Sequence, residues 1–264
     1  MKKHLKTLKR VAISFASALA LWQLACMILD VNENLLPSPL QAWRAFVELC
    51  TVGLQGSTSD ATLFVHIGDS MWRFVVGYLA STVVGVSLGL LLGQSQRAFG
   101  YVNPVVQVIR PIAPIAWLPF IVLLIGIGDL PAIIIIFIAG FFTVMLSTVS
   151  AVKKIDKVYL KVSANFGLSR WQRLIKVVFP AAFPSIASSL HIALGTCWIF
   201  LVSGEMVGSQ TGLGFLVMDA KNCLRADALI AVIITIGVIG FLLDVLISAF
   251  EHKVRDLWGL GINE

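Results

Sequence analysis

Six runs of nearly uninterrupted apolar residues, at about 11–29, 70–93, 105–127, 129–150, 185–207 and 228–250, organise this 264-residue chain. A bilayer core about 30 Å thick takes roughly 20 helical residues to cross. In lipid the backbone N–H and C=O groups of such a run must be satisfied within the segment, which a helix does. The runs therefore predict an all-α polytopic membrane protein with six transmembrane helices in one domain, residues 1–264. Charge content agrees: Asp, Glu, Lys and Arg are 13% of the chain and its mean hydropathy is +0.91. Soluble domains carry about 25% charged residues, and disordered chains lack this much apolar content.

The formal charge of +6 does not point to nucleic acid, because the basic residues sit between the apolar runs rather than on one polar surface. Their placement sets orientation instead. With six crossings, 15 of them fall on one side: Lys2, Lys3, Lys6, Lys9 and Arg10, then Arg97, seven within 151–184, and Lys253 and Arg255. Most acids, including Asp60, Asp69, Asp129 and Asp219, fall on the other. The basic side is cytoplasmic, so both termini are expected inside. A basic leader before an apolar run is also the order of a signal peptide. The run at 11–29 is 19 residues long, however, exceeding the usual h-region of about 7–15, and no small-x-small cleavage signal follows it; it is expected to be a retained span. Cys26, Cys50, Cys197 and Cys223 form no close pairs and the histidines are scattered, which indicates neither a disulfide scaffold nor a metal site.

Pro104, Pro111, Pro114 and Pro119 interrupt the third candidate span. Each interior proline removes a helix hydrogen bond and clashes with the preceding turn, so this segment is expected to be bent or partly broken and shielded by protein. Arg110 beside it has two readings. A guanidinium there attracts a small oxyanion, with further N–H donors freed by the disrupted backbone, or it snorkels to lipid phosphate at the inner rim. Outside the membrane, Ser38-Pro39 preceding Leu40, Ala42, Trp43, Phe46 and Leu49 predicts a capped helix lying along the surface, with Trp43 at the interface.

The segment 151–184 is the most polar long stretch inside the chain. Tyr159, Val162 and Phe166 recur at helical spacing, and Gly167 can supply a left-handed turn. After Ser169, Trp171, Leu174, Ile175 and Val178 form an apolar stripe beside the basic Arg170, Arg173 and Lys176, and Pro180 and Pro184 then interrupt regular helix. Periodicity leaves two uses open, docking a soluble partner or lying on anionic lipid.

This segment resembles the cytoplasmic signature loop of the membrane subunits of bacterial binding-protein-dependent ABC importers, which reads Glu-Ala-Ala, three residues, Gly, nine residues and Ile-x-Leu-Pro. The same frame here holds Lys161-Val162-Ser163, Gly167 and Val177-Val178-Phe179-Pro180. Gly167 and Pro180 match; the first triplet does not. The stretch Arg110-Pro111-Ile112-Ala113-Pro114-Ile115-Ala116-Trp117-Leu118-Pro119, together with Gly204-Glu205-Met206 and Gly212-Leu213-Gly214, is similar to the nitrate, sulfonate, taurine and bicarbonate branch.

The resemblance implies a type I ABC importer permease fold in the bacterial cytoplasmic (inner) membrane. It implies a second copy of the permease, two cytoplasmic ATP-binding subunits, an extracytoplasmic solute-binding protein and a small anionic or zwitterionic substrate. The chain has no phosphate-binding Gly-x-x-x-x-Gly-Lys-Ser/Thr run and no catalytic triad. It is expected to be no enzyme and to bind no cofactor, with ATP and Mg on the partner subunits. The ATPase-coupling candidates are Tyr159, Lys161, Val162, Ser163, Phe166, Gly167 and Pro180. Pathway candidates are Arg110, Pro111, Pro114 and Trp117, while Glu205 and Asp244 suit a gate or structural contact, since a carboxylate repels an anion. Two other classes stay open. A six-span secondary transporter or channel would need an ion relay, for which only Glu205 and Asp244 lie within spans; a membrane scaffold would show no substrate dependence.

Overall fold

The structure, a computed structural model, describes residues 2–28, 36–57 and 59–257. All regular elements among these are helical: α1 (Lys2–Ile28), α2 (Pro39–Thr51), α3 (Leu63–Gln94), α4 (Gln96–Ile109), α5 (Leu118–Ile125), α6 (Asp129–Lys153), α7 (Lys157–Asn165), α8 (Arg170–Arg173), α9 (Phe179–Gly208), α10 (Leu213–Asn222) and α11 (Ala226–Leu257). Four helical stretches are long and apolar enough to cross a membrane, namely Leu63–Gln94, Asp129–Lys153, Arg170–Gly208 and Ala226–Lys253; the bent pair α4 and α5 makes a fifth if it acts as one span. The apolar part of α1, Ala16–Ile28, is shorter than these. The chain is thus an all-α polytopic membrane protein with four to five long apolar helices among the described residues.

Chain contacts divide the molecule into two compact units, Met1–Ile67 with Leu216–Gly237, and Gly68–Phe215 with Val238–Glu264. In the first, α2 begins with a capping box. The Ser38 hydroxyl accepts from the Gln41 N–H at 3.4 Å, the Gln41 side chain accepts from the Ser38 N–H at 2.7 Å, and Pro39 occupies the first turn, where its missing N–H costs nothing. The helix buries Ala42, Ala45 and Leu49 and leaves Leu40, Trp43 and Val47 exposed. Arg225 fixes α2 to the start of α11, reaching both Glu48 oxygens (3.2 and 2.8 Å) and both Asp227 oxygens (2.9 and 3.0 Å). These bidentate pairs raise the Arg225 pKa, the hydrogen bonds to Asp227 contributing most and those to Glu48 next. Ser57 donates a short hydrogen bond to Asp219 in the same unit.

The second unit is built on α6, which packs along α9 and buries Ile135, Ile136, Val144, Met145 and Val149. Small residues let α3 approach it closely. Gly77, Ser81, Gly85, Gly89 and Gly93 recur every fourth residue and so share one face. A methyl group on Gly89 would lie 2.5 Å from Thr148 Cβ, and one on Gly93 would lie 2.7 Å from Val152 Cβ. Without a hydrophobic force between helices in lipid, such small-residue faces supply the packing contacts.

The third candidate span, 105–127, is two helices meeting at 80°. Pro114 forces Ala113 into an extended conformation (φ −57°, ψ 133°) and opens a short 3₁₀ turn, Pro114–Trp117; Pro119 lies in the first turn of α5. The fifth candidate differs from its expected limits. Helix runs from Arg170 to Gly208 without a break, through Pro180 and Pro184. Over Leu174–Val178 it widens into a π turn, with the Phe179 N–H bonded to the Leu174 carbonyl. The register shifts just before Pro180, a residue with no N–H to give, so the prolines disturb the hydrogen-bond ladder without ending the helix.

Candidate functional site

The connection between α6 and α8 holds the short helix α7, one face of which is exposed. The helix ends at Asn165, and the turn after it passes through Gly167, whose φ of +71° is open to glycine and strained for other residues. The Phe166 N–H bonds to the Val162 carbonyl at 3.1 Å and the Leu168 N–H reaches back to the Ser163 carbonyl at 3.3 Å, closing the last turn. Ser169 then caps α8 through a second box with Gln172. Tyr159 (63%), Val162 (46%) and Phe166 (80%) are exposed, and so is Lys161. Ser163 is buried, its hydroxyl donating to the Leu160 carbonyl at 2.8 Å, and Pro180 is half-buried. Leu160 and Ile155 pack on a cluster formed by Leu90 of α3, Ala151 and Val152 of α6, Leu174, Val178, and Ala182 and Ile186 of α9. An apolar face turned to solvent thus stands on a helix rooted in three long ones. The stripe expected after Ser169 is split between two faces, with Leu174 and Val178 buried and Trp171 and Ile175 exposed.

At the break between α4 and α5, Arg110, Pro111, Ile112 and Ala113 are exposed, Pro114 and Trp117 are half-buried, and Leu118 is buried. Among the described residues Arg110 makes no salt bridge. Three backbone donors at the break are used within the chain: Arg110 N–H bonds to Val106 O at 2.9 Å, Ile112 N–H to Ile109 O at 3.0 Å and Ala116 N–H to Ala113 O at 2.9 Å.

Glu205 lies in a densely hydrogen-bonded polar site. It is 0% exposed, and Arg73 is 2% exposed. Arg73 Nη1 donates to Glu205 Oε1 at 2.8 Å and to the Thr211 carbonyl at 2.7 Å, Nη2 to Thr211 Oγ1 at 2.6 Å, and Nε to Asp129 Oδ1 at 2.8 Å. The Ser70 hydroxyl lies 2.9 Å from both Glu205 oxygens and accepts from the Leu213 N–H at 2.8 Å, while the Gly214 N–H donates to Glu205 Oε2 at 2.9 Å. A methyl group on Gly212 (φ +106°) would sit 2.5 Å from Glu205 Cδ and 2.6 Å from Arg73 Nη1, so this turn closes over the ion pair only without a side chain. The Gly204-Glu205-Met206 and Gly212-Leu213-Gly214 motifs are therefore two halves of one structure, joined to α3 and α6 by Arg73. Such a buried pair holds only when its remaining lone pairs and protons are also satisfied, and here they are.

Asp244 lies elsewhere, on α11. His191 of α9 bridges two carboxylates, with Nε2 2.8 Å from Asp244 Oδ1 and Nδ1 3.1 Å from Glu251 Oε2; Ser188 donates to Glu251 Oε1 at 2.6 Å. Sequence reasoning missed Arg73, Asp129 and Ser70 around Glu205, and His191 and Glu251 around Asp244. An arginine inside an apolar run, with a carboxylate in another, was the available signal. Among the described residues no group of three His, Cys, Asp or Glu side chains is placed to hold a metal ion.

Residues 81–256 match the family described as binding-protein-dependent transport system inner membrane component. The chain is 32% identical over 246 residues to the taurine transport system permease protein TauC of Escherichia coli, covering 93% of this chain and 88% of that one. It is 34% identical over 253 residues to the nitrate import permease protein NrtB of Leptolyngbya laminosa (94% and 89% covered). Identity to the bicarbonate transport system permease protein CmpB of Synechococcus elongatus is 29% over 261 residues (96% and 93% covered). In three dimensions it is similar to a chain of the MetNI methionine ABC transporter in an inward-facing form, with a TM-score of 0.58 at 21% identity over 71% of this chain and 95% of that one.

Proposed function

The chain belongs to the family of binding-protein-dependent transport system inner membrane components, and from that premise we propose that it is the permease subunit of an ATP-driven importer for a small oxyanion-bearing solute. Likeness over nearly the whole chain to permeases named for taurine, nitrate and bicarbonate carries this reading. Sulfonate, nitrate and bicarbonate share a compact anionic group with several acceptor oxygens, the chemistry a guanidinium fork recognises. Arg110, exposed at the helix break with Pro111, Pro114 and Trp117 around it, is the candidate on the route.

In this reading the chain crosses six times, α1 and the α4–α5 pair completing the count, with both termini in the cytoplasm of a bacterial cell. Two copies line the pore, an extracytoplasmic protein delivers the solute, and two cytoplasmic subunits bind and hydrolyse ATP with Mg. Tyr159, Val162 and Phe166 supply an apolar knob for a groove in each ATPase subunit. Because Leu160 and Ile155 are packed between α3, α6 and α9, displacement of α7 moves those helices rather than bending a loop. The Arg73–Glu205 site ties α3, α6, α9 and the turn before α10 into one body, which suits a structural lock better than an anion site.

The test is uptake into proteoliposomes holding the permease with its ATPase and binding protein. Nitrate, bicarbonate, taurine, an alkanesulfonate, a sugar and a monovalent cation form the panel. ATP-dependent uptake of an oxyanion, lost when the ATPase is left out, is expected. Uptake by the permease alone would support a channel or secondary transporter instead, and ATP-driven uptake confined to the sugar or the cation would overturn the substrate class.

A further inference from the structure

Polar contacts, rather than a core, fasten the second half of α11. From Val238 onward none of its described residues is buried, and Phe241, Leu242, Leu246 and Phe250 are exposed. The helix comes close to α9 at Gly240, where a methyl group would lie 2.7 Å from Trp198 Nε1. Asp244 lies one turn further on and Glu251 two turns beyond that on the same face, while Ser188 and His191 share a face of α9. These four side chains meet. His191 Nε2 is 2.8 Å from Asp244 Oδ1, its Nδ1 is 3.1 Å from Glu251 Oε2, and the Ser188 hydroxyl donates to Glu251 Oε1 at 2.6 Å. Other titratable groups keep apart from the ring. Asp244 has no further basic partner among the described residues. His252 and Lys253 follow Glu251 and are exposed. On α3 the Tyr78 hydroxyl is engaged with the Leu190 carbonyl at 2.9 Å, and α6 has no titratable residue between Asp129 and Lys153.

A neutral imidazole has one N–H. With a carboxylate against each ring nitrogen, one of the two contacts would then set two acceptors together, whereas an imidazolium donates to both. We propose that His191 is a proton-operated clamp between α9 and α11: with its second proton it holds Asp244 and Glu251 at once, and without it the ring releases one of them. Glu251 keeps Ser188 in either state, so the carboxylate let go is Asp244, whose side chain is 58% exposed and can turn to water. The clamp is closed at low pH and opens as the pH rises through the titration of the ring. Opening frees the end of α11, which gives a solute importer a response to cytoplasmic pH. That consequence rests on the proposed function and topology; the clamp itself does not.

Spin labels on Ile192→Cys and Leu246→Cys, both at exposed positions, read the separation of α9 and α11 in the full-length protein. Cys26, Cys50 and Cys223 are replaced by serine and the buried Cys197 is left in place, its protection from labelling showing that each variant is folded. In detergent both faces of the protein meet the same pH, so the readout does not depend on topology or on transport. Between about pH 5 and about pH 9, a range that spans histidine titration, the distance distribution should become at least about twice as broad in a single one-proton step. His191→Gln, whose amide does not titrate, should give the same distribution at every pH. Asp244→Asn should also lose the response, because an amide there can accept from the protonated ring or donate to the neutral one. A distribution that stays unchanged with pH in the original chain shows a fixed ion pair and overturns the clamp. A response that persists in His191→Gln or in Asp244→Asn belongs to His252 or another group and overturns it as well.

Discussion

Breaking the buried pair between Arg73 and Glu205 should destabilise the second unit more than any other single polar change there. Glu205 is wholly buried and Arg73 nearly so, whereas the Asp129 side chain is 58% exposed. Arg73→Ala strands a carboxylate that keeps only Ser70 and the Gly214 N–H, and losing one partner of a buried pair costs about 3–5 kcal/mol. Glu205→Ala strands the guanidinium on the half-exposed Asp129 and Thr211 and should cost about as much. Asp129→Asn should cost under about 1 kcal/mol, because its share of the interaction is screened by solvent. Removing both partners leaves no buried orphan charge, the released Asp129 being 58% exposed, so the double variant should lose at least about 2 kcal/mol less than the sum of the singles. Cys197 provides the assay: it is 0% exposed on α9, so the rate at which a thiol reagent labels it reports the free energy of opening. Cys26, Cys50 and Cys223 would be replaced by serine and the protein held in detergent. Strict additivity of the two single changes, or an Asp129→Asn loss as large as that of Arg73→Ala, would refute the reasoning.

The close approach of α3 to α6 predicts that Gly89→Val lowers the yield and stability of folded protein by about 1–3 kcal/mol. The same change at Gly100, where a methyl group meets nothing within 4 Å, should be far milder by the same labelling assay. For topology, a Gln55→Cys variant should react with an impermeant reagent from outside and Lys154→Cys only after the membrane is opened; the reverse pattern would invert the orientation. Arg110→Lys keeps the charge but loses the planar fork, so uptake should fall partly, and further in Arg110→Gln, with assembly measured beside it. An Arg110→Gln protein that assembles and transports at the original rate would remove Arg110 from the pathway.

Hydropathy and charge made the long apolar helices and the short projection at 157–167 legible, because both depend on periodicity along one segment. Gly167 was readable for the same reason, since a glycine at the end of an amphipathic turn has few other uses. The prolines were only half legible. Four of them signalled the 80° break near Arg110, but Pro180 and Pro184 gave no hint that a π turn would carry the helix past them. What stayed hidden were the long-range pairs. Glu205 and Asp244 stood out as acids in apolar runs, yet their partners Arg73 and His191 are 132 and 53 residues away, and which charge meets which is decided by helix packing. The Gly77, Ser81, Gly85, Gly89, Gly93 spacing was visible in the sequence, but the apolar run length that marks α3 as a span does not single out a small-residue face.

The proposed coupling runs through the exposed apolar residues of α7, and Phe166, 80% exposed, tests it most directly. In proteoliposomes holding the permease, its ATPase and its binding protein, uptake and ATP hydrolysis would be measured together for the original chain and Phe166→Asp. A charge placed in a contact that should be buried on docking disfavours that contact, while a solvent-facing position leaves the fold intact. The expected result is normal membrane insertion and normal Cys197 protection, with solute-stimulated hydrolysis and oxyanion uptake both lost. Uptake and stimulated hydrolysis at the original level, with the ATPase still bound, would contradict coupling through α7.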